Sequence, residues 1–270
     1  MNDITIVTAF FDIGRGEWSP DRGLPHYLQR TNETYLERFG HMAKLENDMV
    51  VYTSKEFVDD IKFLRQDRPT QIFTIDFPNS FIKLREEVKK VQTDPTYQAK
   101  INPLQVKNPE YWNADYVLVT NLKATFVDMA IKNNLVTNDM VAWIDFGYCR
   151  DDDHIPKSKK WEYDFTPGKM HFFNYRAPVV ARAMEQIQTA ILNNIVYIIG
   201  GVFVGEKEQW CMLKTHMEKS LNVLFENNLV DDDQGLLLMS YFKNPEKYEL
   251  HKMPLEGDIE QVRSILKKFN

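Results

Sequence analysis

Short apolar runs alternate with longer segments of helical period along this chain, and that alternation predicts an α/β fold with a largely parallel sheet. Two further observations support the prediction. Hydrophobic residues make up 43% and charged residues 27%, an ordinary globular balance that leaves ample apolar surface for a core in 270 residues. No internal repeat or low-complexity linker divides the chain, so one domain is expected over 1–270.

The first apolar run, residues 4–11, is the first strand. Residues 31–45 have helical spacing and follow it, then Met49–Thr53 and residues 71–75 read as the next strands. Helices are expected at 79–92 and 115–133, before a buried strand at 141–144. In the second half, 171–173 and 195–204 read as strands and 178–193 as a helix. The clearest helix covers 206–228, where Trp210, Leu213, Met217, Leu221 and Leu224 recur at spacings of three and four and make one apolar stripe. A last amphipathic helix at 258–269 carries Ile259, Val262, Ile265, Leu266 and Phe269 on one face. Two segments lack a clean period. One is 14–30, with its two prolines and three glycines, and the other is the polar stretch 150–166. Loops of that length within a domain are often functional.

Composition also excludes some functions. The net charge of −6 is spread along the chain, and no basic nucleic-acid footprint exists. Cys149 and Cys211 show neither metal spacing nor a disulfide framework, which suits a reducing compartment. The N-terminal MNDITIVTAFF has no positive region before its apolar run, and the longest apolar stretch is about half the length needed to span a bilayer. A cytoplasmic protein without a transmembrane segment is expected; peripheral contact with a membrane remains compatible.

Four places carry residues suited to chemistry. At the end of the first strand, Thr8 and Phe10 lead into Asp12, Gly14 and Arg15. Ligands of open α/β sheets bind beyond the carboxyl ends of strands, where Asp12 can accept from a ribose and Arg15 can fork onto phosphate oxygens. A capped turn with a solvated charge pair accounts for the same residues. Neither GxGxxG nor a P-loop is present. Asp145, just past the strand 141–144, can hold Mg²⁺ or Mn²⁺ against a diphosphate, or cap the next turn. Gly200 and Gly201 let a ligand or another backbone approach a strand closely. Asp231-Asp232-Asp233-Gln234 precede an apolar run, as N-cap chemistry does, with the first acid expected to cap. Asp232 or Asp233 can equally act as a general base on an acceptor hydroxyl.

In this order, the segments TIVTAFFDIGRGEW, RTNETYLERFGHMA, VLVTNLKATFV and WIDFGYCR resemble the HtrL/YibB (WlaTC) family, grouped with GT-A glycosyltransferases and linked to bacterial surface-polysaccharide and lipopolysaccharide-core loci. The resemblance runs from about Ile4 to His251. It implies a GT-A-like, Rossmann-type mixed sheet flanked by helices. Residues from about 1 to 150 would form the nucleotide-sugar half, and 151–270 the acceptor half with its C-terminal helix. It further implies sugar transfer from a nucleotide-diphosphate donor, a UDP-sugar and in particular a hexose, to a glycan or lipid-linked saccharide. Thr8, Phe10, Asp12, Arg15, Lys123 and Asp145 would bind the donor, with Lys123 reaching base or phosphate. Gly200, Gly201 and Gln234 would face the acceptor. Asp145 matches the first acid of the DxD motif, but Gly147 stands where the second acid belongs. A Mn²⁺ or Mg²⁺ ion would therefore need another ligand, and His251 is the expected one. Two other readings remain: a catalytically silent carbohydrate-binding protein on the same frame, and a nucleotidyltransferase.

Overall fold

The computed structural model of the protein describes residues 2–177, 184–253 and 265–270. The strand β1 (Ile4–Phe10) is buried at every residue. Val7, Ala9 and Phe11 enter one apolar cluster, while Ile4, Ile6 and Phe10 enter another. This period of two, apolar on both faces, is what a central strand of a covered parallel sheet requires. β2 (Met49–Thr53) and β4 (Met140–Ile144) are buried in the same way, whereas β3 (Thr70–Thr74) lies at an edge and is only partly covered. The second half adds β5 (Met170–Asn174), β6 (Ile198–Glu206) and β7 (Tyr248–Lys252).

All seven strands join one sheet in the order β3-β2-β1-β4-β6-β5-β7. β6 pairs antiparallel with both β4 and β5, and the other pairings are parallel. The expected mixed sheet flanked by helices is thus present, and it is continuous across both halves of the chain.

One face of the sheet carries α3 (Ile82–Gln92), α5 (Ala114–Asn121), α6 (Lys123–Lys132), α8 (Lys207–Glu226) and α9 (Asp233–Lys243), whose apolar residues share a cluster with Val141, Trp143 and Phe203. The other face is covered by α1 (Asn32–Met42), α2 (Val58–Arg65) and a short C-terminal helix, Ile265–Lys268. A four-residue helix, α4 (Pro95–Gln98), and α7 (Met184–Leu192) complete the set of α-helices among the described residues. None of them is long and apolar enough to cross a membrane.

Several expected elements differ. The single helix expected over 115–133 breaks at Leu122, which closes α5 and opens α6, so that Lys123 becomes the first residue of α6. The strand expected from 195 begins three residues later. Ile195 donates its backbone N–H to Ala190 O, and Asn194 takes φ 49°, so this stretch finishes α7. The helices α2, α4 and strand β7 were not expected. Residues 178–183 of one expected helix and 258–264 of another lie outside the described residues. The segment 14–30 contains three 3₁₀ turns, Arg15–Glu17, Pro20–Arg22 and His26–Leu28, rather than open coil.

Candidate functional site

A cleft of about 510 Å³ opens beyond the carboxyl ends of β1 and β4 and beside the start of β6. Two groups of charged side chains, here called its acid wall and its arginine wall, line it.

The acid wall is built on Lys123. Its ammonium donates to Asp145 Oδ1 at 2.8 Å, Asp233 Oδ2 at 2.8 Å and Gly200 O at 2.9 Å. A lysine has three N–H donors, and all three are engaged. Burial works against this charge, but Asp145 and Asp233 together outweigh it and hold the ammonium above its ordinary pKa. Lys123 and Asp233 are almost fully enclosed, with side chains 6% and 3% exposed, whereas Asp145 is 42% exposed and so presents a carboxylate to the cleft. Its Oδ1 also accepts from Trp143 Nε1 at 2.8 Å, and its backbone N–H donates to Gly201 O. Gly200 makes this packing possible, since a Cβ there would collide with the Asp233 carboxylate.

Beneath that pair lie more acids. Asp232 is the N-cap of α9 and accepts from Gln234 N at 2.9 Å. The cap expected at Asp231 therefore sits one residue later, because Asp231 lies beneath Gly235 instead. Burial, then the charge of neighbouring acids, pushes Asp231 and Asp232 well above the carboxylate range. Burial pushes Glu110 up to about 7. Asp233 is also raised by burial, but there Lys123 opposes the push.

The other wall is cationic. Arg15, Arg30, Arg38 and Arg150 all line it. Arg15 is buried; it donates to Tyr35 Oη at 2.7 Å and Leu28 O at 3.1 Å, and lies 5.0 Å from the Trp18 ring centre. Burial, then Arg30, holds the Arg38 guanidinium below its ordinary value, and burial, then Arg38 and Arg30, does the same to Arg150. Tyr35 packs where the second acid of a DxD motif would stand: a Cβ on Gly147 would lie 2.9 Å from its ring, and 3.7 Å from Arg38 Cδ.

The structure thus brings Phe10, Asp12, Arg15, Lys123, Asp145, Gly200, Gly201, Asp232, Asp233 and Gln234 to one cleft. Their parts differ from expectation in several cases. Phe10 is 5% exposed and stacked on Phe146, so it forms wall rather than a polar contact. Asp12 accepts from Gly14 N and from Asn32 Nδ2, the capped turn that its sequence also allowed. Lys123 has no donor left for base or phosphate. Thr8 does not reach the cleft; it is fully buried in mid-strand. His251 does not converge with Asp145. It lies on β7, three strands from β4 and so roughly 14 Å across the sheet. Its ring packs among Phe173, Phe269 and His171, and burial followed by His171 lowers its pKa to about 4. Among the described residues, the one group whose ligand atoms lie close enough to share a metal is His171, Glu249 and His251, outside the cleft.

Sequence reading missed Arg30, Arg38, Arg150, Tyr35 and Glu110. A signal for three of them existed: RTNETYLER begins and ends with arginine, and WIDFGYCR ends with one.

Comparison with known proteins bears on the family. Residues 2–260 match the family described as "Bacterial protein of unknown function (HtrL_YibB)". Protein HtrL of Escherichia coli (strain K12) is 39% identical over 247 residues, covering 92% of this chain and 87% of that protein. Among solved structures, mouse xyloside xylosyltransferase 1 in its apo form is similar at 13% identity and a TM-score of 0.47, over 92% of this chain and 85% of that one. The chain belongs to the HtrL_YibB family.

Proposed function

We propose that this member of the HtrL_YibB family is a glycosyltransferase, moving a sugar from a nucleoside diphosphate donor, a UDP-sugar, to a hydroxyl of a glycan or lipid-linked acceptor. The observation that carries the reading is the pairing of two charged groups: a lysine-held carboxylate pair and four guanidinium groups line one cleft at the carboxyl ends of β1 and β4.

Glycosyl transfer needs both walls. The acceptor oxygen bonds to the anomeric carbon as the bond from that carbon to the diphosphate breaks. The bonding pair leaves on the phosphate oxygen, where positive charge must receive it. The acceptor's proton passes to a carboxylate. Asp233 is our choice for that role, because Lys123 opposes its protonation while Asp232 is engaged as an N-cap and burial pushes its carboxyl well above the usual range. Asp145, open to the cleft, faces the sugar and the oxocarbenium charge that develops on it. Gly200, Gly201 and Gln234 line the same cleft and leave room for the acceptor.

The residues do not fit a protein-held divalent cation at Asp145. One of its oxygens already receives Lys123 and Trp143, Tyr35 fills the space of a second motif acid, and His251 is elsewhere.

The test is incubation with a panel of nucleotide sugars, with nucleoside diphosphate and pyrophosphate both quantified. Release of nucleoside diphosphate, even by slow transfer to water, supports the reading. Pyrophosphate would support nucleotidyl transfer instead. Nucleotide binding with no product from any donor and acceptor pool would support a silent carbohydrate-binding protein.

A further inference from the structure

In a chain with net charge −6, four guanidiniums line one wall of the cleft. Elsewhere Arg22 pairs with Glu17 and Arg85 with Asp115, and the fully buried Arg65 is satisfied without an acid, by four backbone carbonyls and Thr70. Among the described residues no carboxylate pairs with Arg15, Arg30, Arg38 or Arg150. Arg15 is 8% exposed, and its Nε is buried without a partner. Burial and mutual repulsion already weigh on Arg38 and Arg150. Gathering unpaired cations raises the energy of the empty cleft, and an anion that enters relieves it.

The chemistry of that anion follows from the donors. Guanidinium forks match phosphate oxygens two at a time, and several forks on one wall match two linked phosphates better than one carboxylate. Arg38 lies over Gly147, two residues from Asp145, which is where a sugar diphosphate would meet the acid wall.

We propose that Arg30, Arg38 and Arg150 hold the diphosphate of the donor, with Arg15 fixed behind them, and that this grip replaces a divalent cation. The proposal rests on the glycosyltransferase reading of the cleft. Tyr35 is part of the arrangement. It takes the space of the second motif acid and ties itself to Arg15, so the site that lacks an acid gains a supported guanidinium. As the bond to the sugar breaks, the charge arriving on the leaving phosphate oxygen is met by groups already in place.

Calorimetric titration of UDP, uridine and inorganic pyrophosphate, each with EDTA or with Mn²⁺, tests this on wild type, Arg38→Ala and Arg150→Ala. UDP should bind in EDTA, pyrophosphate should compete with it, and each variant should bind UDP about ten- to a hundred-fold more weakly. Uridine affinity should not change, which separates lost phosphate contacts from a misfolded cleft. Arg38→Lys should recover only part of the loss, since an ammonium has no fork. UDP binding that requires Mn²⁺ and is unaltered in both variants would overturn the proposal and leave glycosyl transfer standing. Absence of nucleotide and pyrophosphate binding under every condition would remove both.

Discussion

The two walls of the cleft hold charge in opposite ways. On the acid wall, Lys123 satisfies two carboxylates and a carbonyl, and Asp232 caps a helix, so the charges there are balanced within the fold. On the other wall, Arg15 meets a tyrosine, a carbonyl and aromatic rings, and among the described residues no carboxylate forms an ion pair with any of the four arginines. The contrast teaches where to look for a ligand. A balanced cluster sets geometry and stability, whereas an unbalanced one is completed from outside. Substitutions on the acid wall should therefore change stability, and those on the arginine wall should change binding.

The largest effect expected from that contrast is at Lys123. Lys123→Met leaves Asp145 and Asp233 facing each other without their cation, and removing one partner of a buried ion pair costs about 3–5 kcal/mol. Urea unfolding should show the midpoint falling with little change in slope. A loss below about 1 kcal/mol would mean that the pair is solvated, and the division between the walls would fail.

Next comes a pH effect at Glu110. Burial raises its folded pKa to about 7, above the unfolded value near 4.5. Its contribution is therefore fully present below about pH 4.5 and disappears as pH rises through 7. Wild type should lose stability between about pH 5 and 8, by up to about 3 kcal/mol from this group. Glu110→Gln should flatten part of the slope, leaving what Asp231 and Asp232 contribute in the same direction. Equal slopes in thermal melts of the two proteins would show that Glu110 is ionised in the fold.

How much of this was legible depends on the kind of information each feature needs. β1, β2 and β4 are apolar on both faces, so short runs of Val, Ile, Phe and Met announced them. β7 reads Tyr-Glu-Leu-His-Lys, and an edge strand so short and half polar gives no such run. The break at Leu122 has no glycine or proline to mark it. Within the site, Asp145 and Asp233 were visible as local signals at element ends and Gly200 as one of a glycine pair within a strand, while Lys123 was singled out only by the family resemblance. Their union was not, because Lys123 and Asp233 are 110 residues apart and only the sheet order brings them together. His251 illustrates the converse. Its place late in the chain suggested the metal site, but β5 and β6 stand between β7 and β4.

A smaller structural effect belongs to Gly200. Gly200→Ala forces a Cβ against the Asp233 carboxylate, whose Oδ2 Lys123 holds in place and which cannot easily yield. Overpacking of that kind typically costs about 1–3 kcal/mol. Gly201→Ala should be milder, since its Cβ would sit 3.3 Å from the Tyr148 ring and 3.8 Å from Asp145 Oδ2. Reversed ranking in thermal melts would mean that Asp233 is free to move, and so not anchored by Lys123.

The smallest effect, and the sharpest test of the acid wall, is Asp232→Asn. Asp232 is buried, raised well above the carboxylate range, and engaged as the N-cap of α9. Asparagine caps a helix about as well as aspartate, so the contact to Gln234 N survives the change. The sign of any stability difference follows from the shift. A carboxyl whose folded pKa is raised contributes stability below its unfolded value and loses it as pH climbs. At pH 4 the variant should be equal to wild type or slightly less stable, within about 1 kcal/mol. As pH rises to 8 it escapes that loss and should gain on wild type. Turnover, if Asp233 rather than Asp232 takes the acceptor's proton, should remain within a few-fold of wild type. A collapse of turnover with unchanged melting would move the proton acceptor to Asp232. The cluster beneath Lys123 would then have to ionise when substrate binds, and the acid wall would no longer be balanced without its ligand.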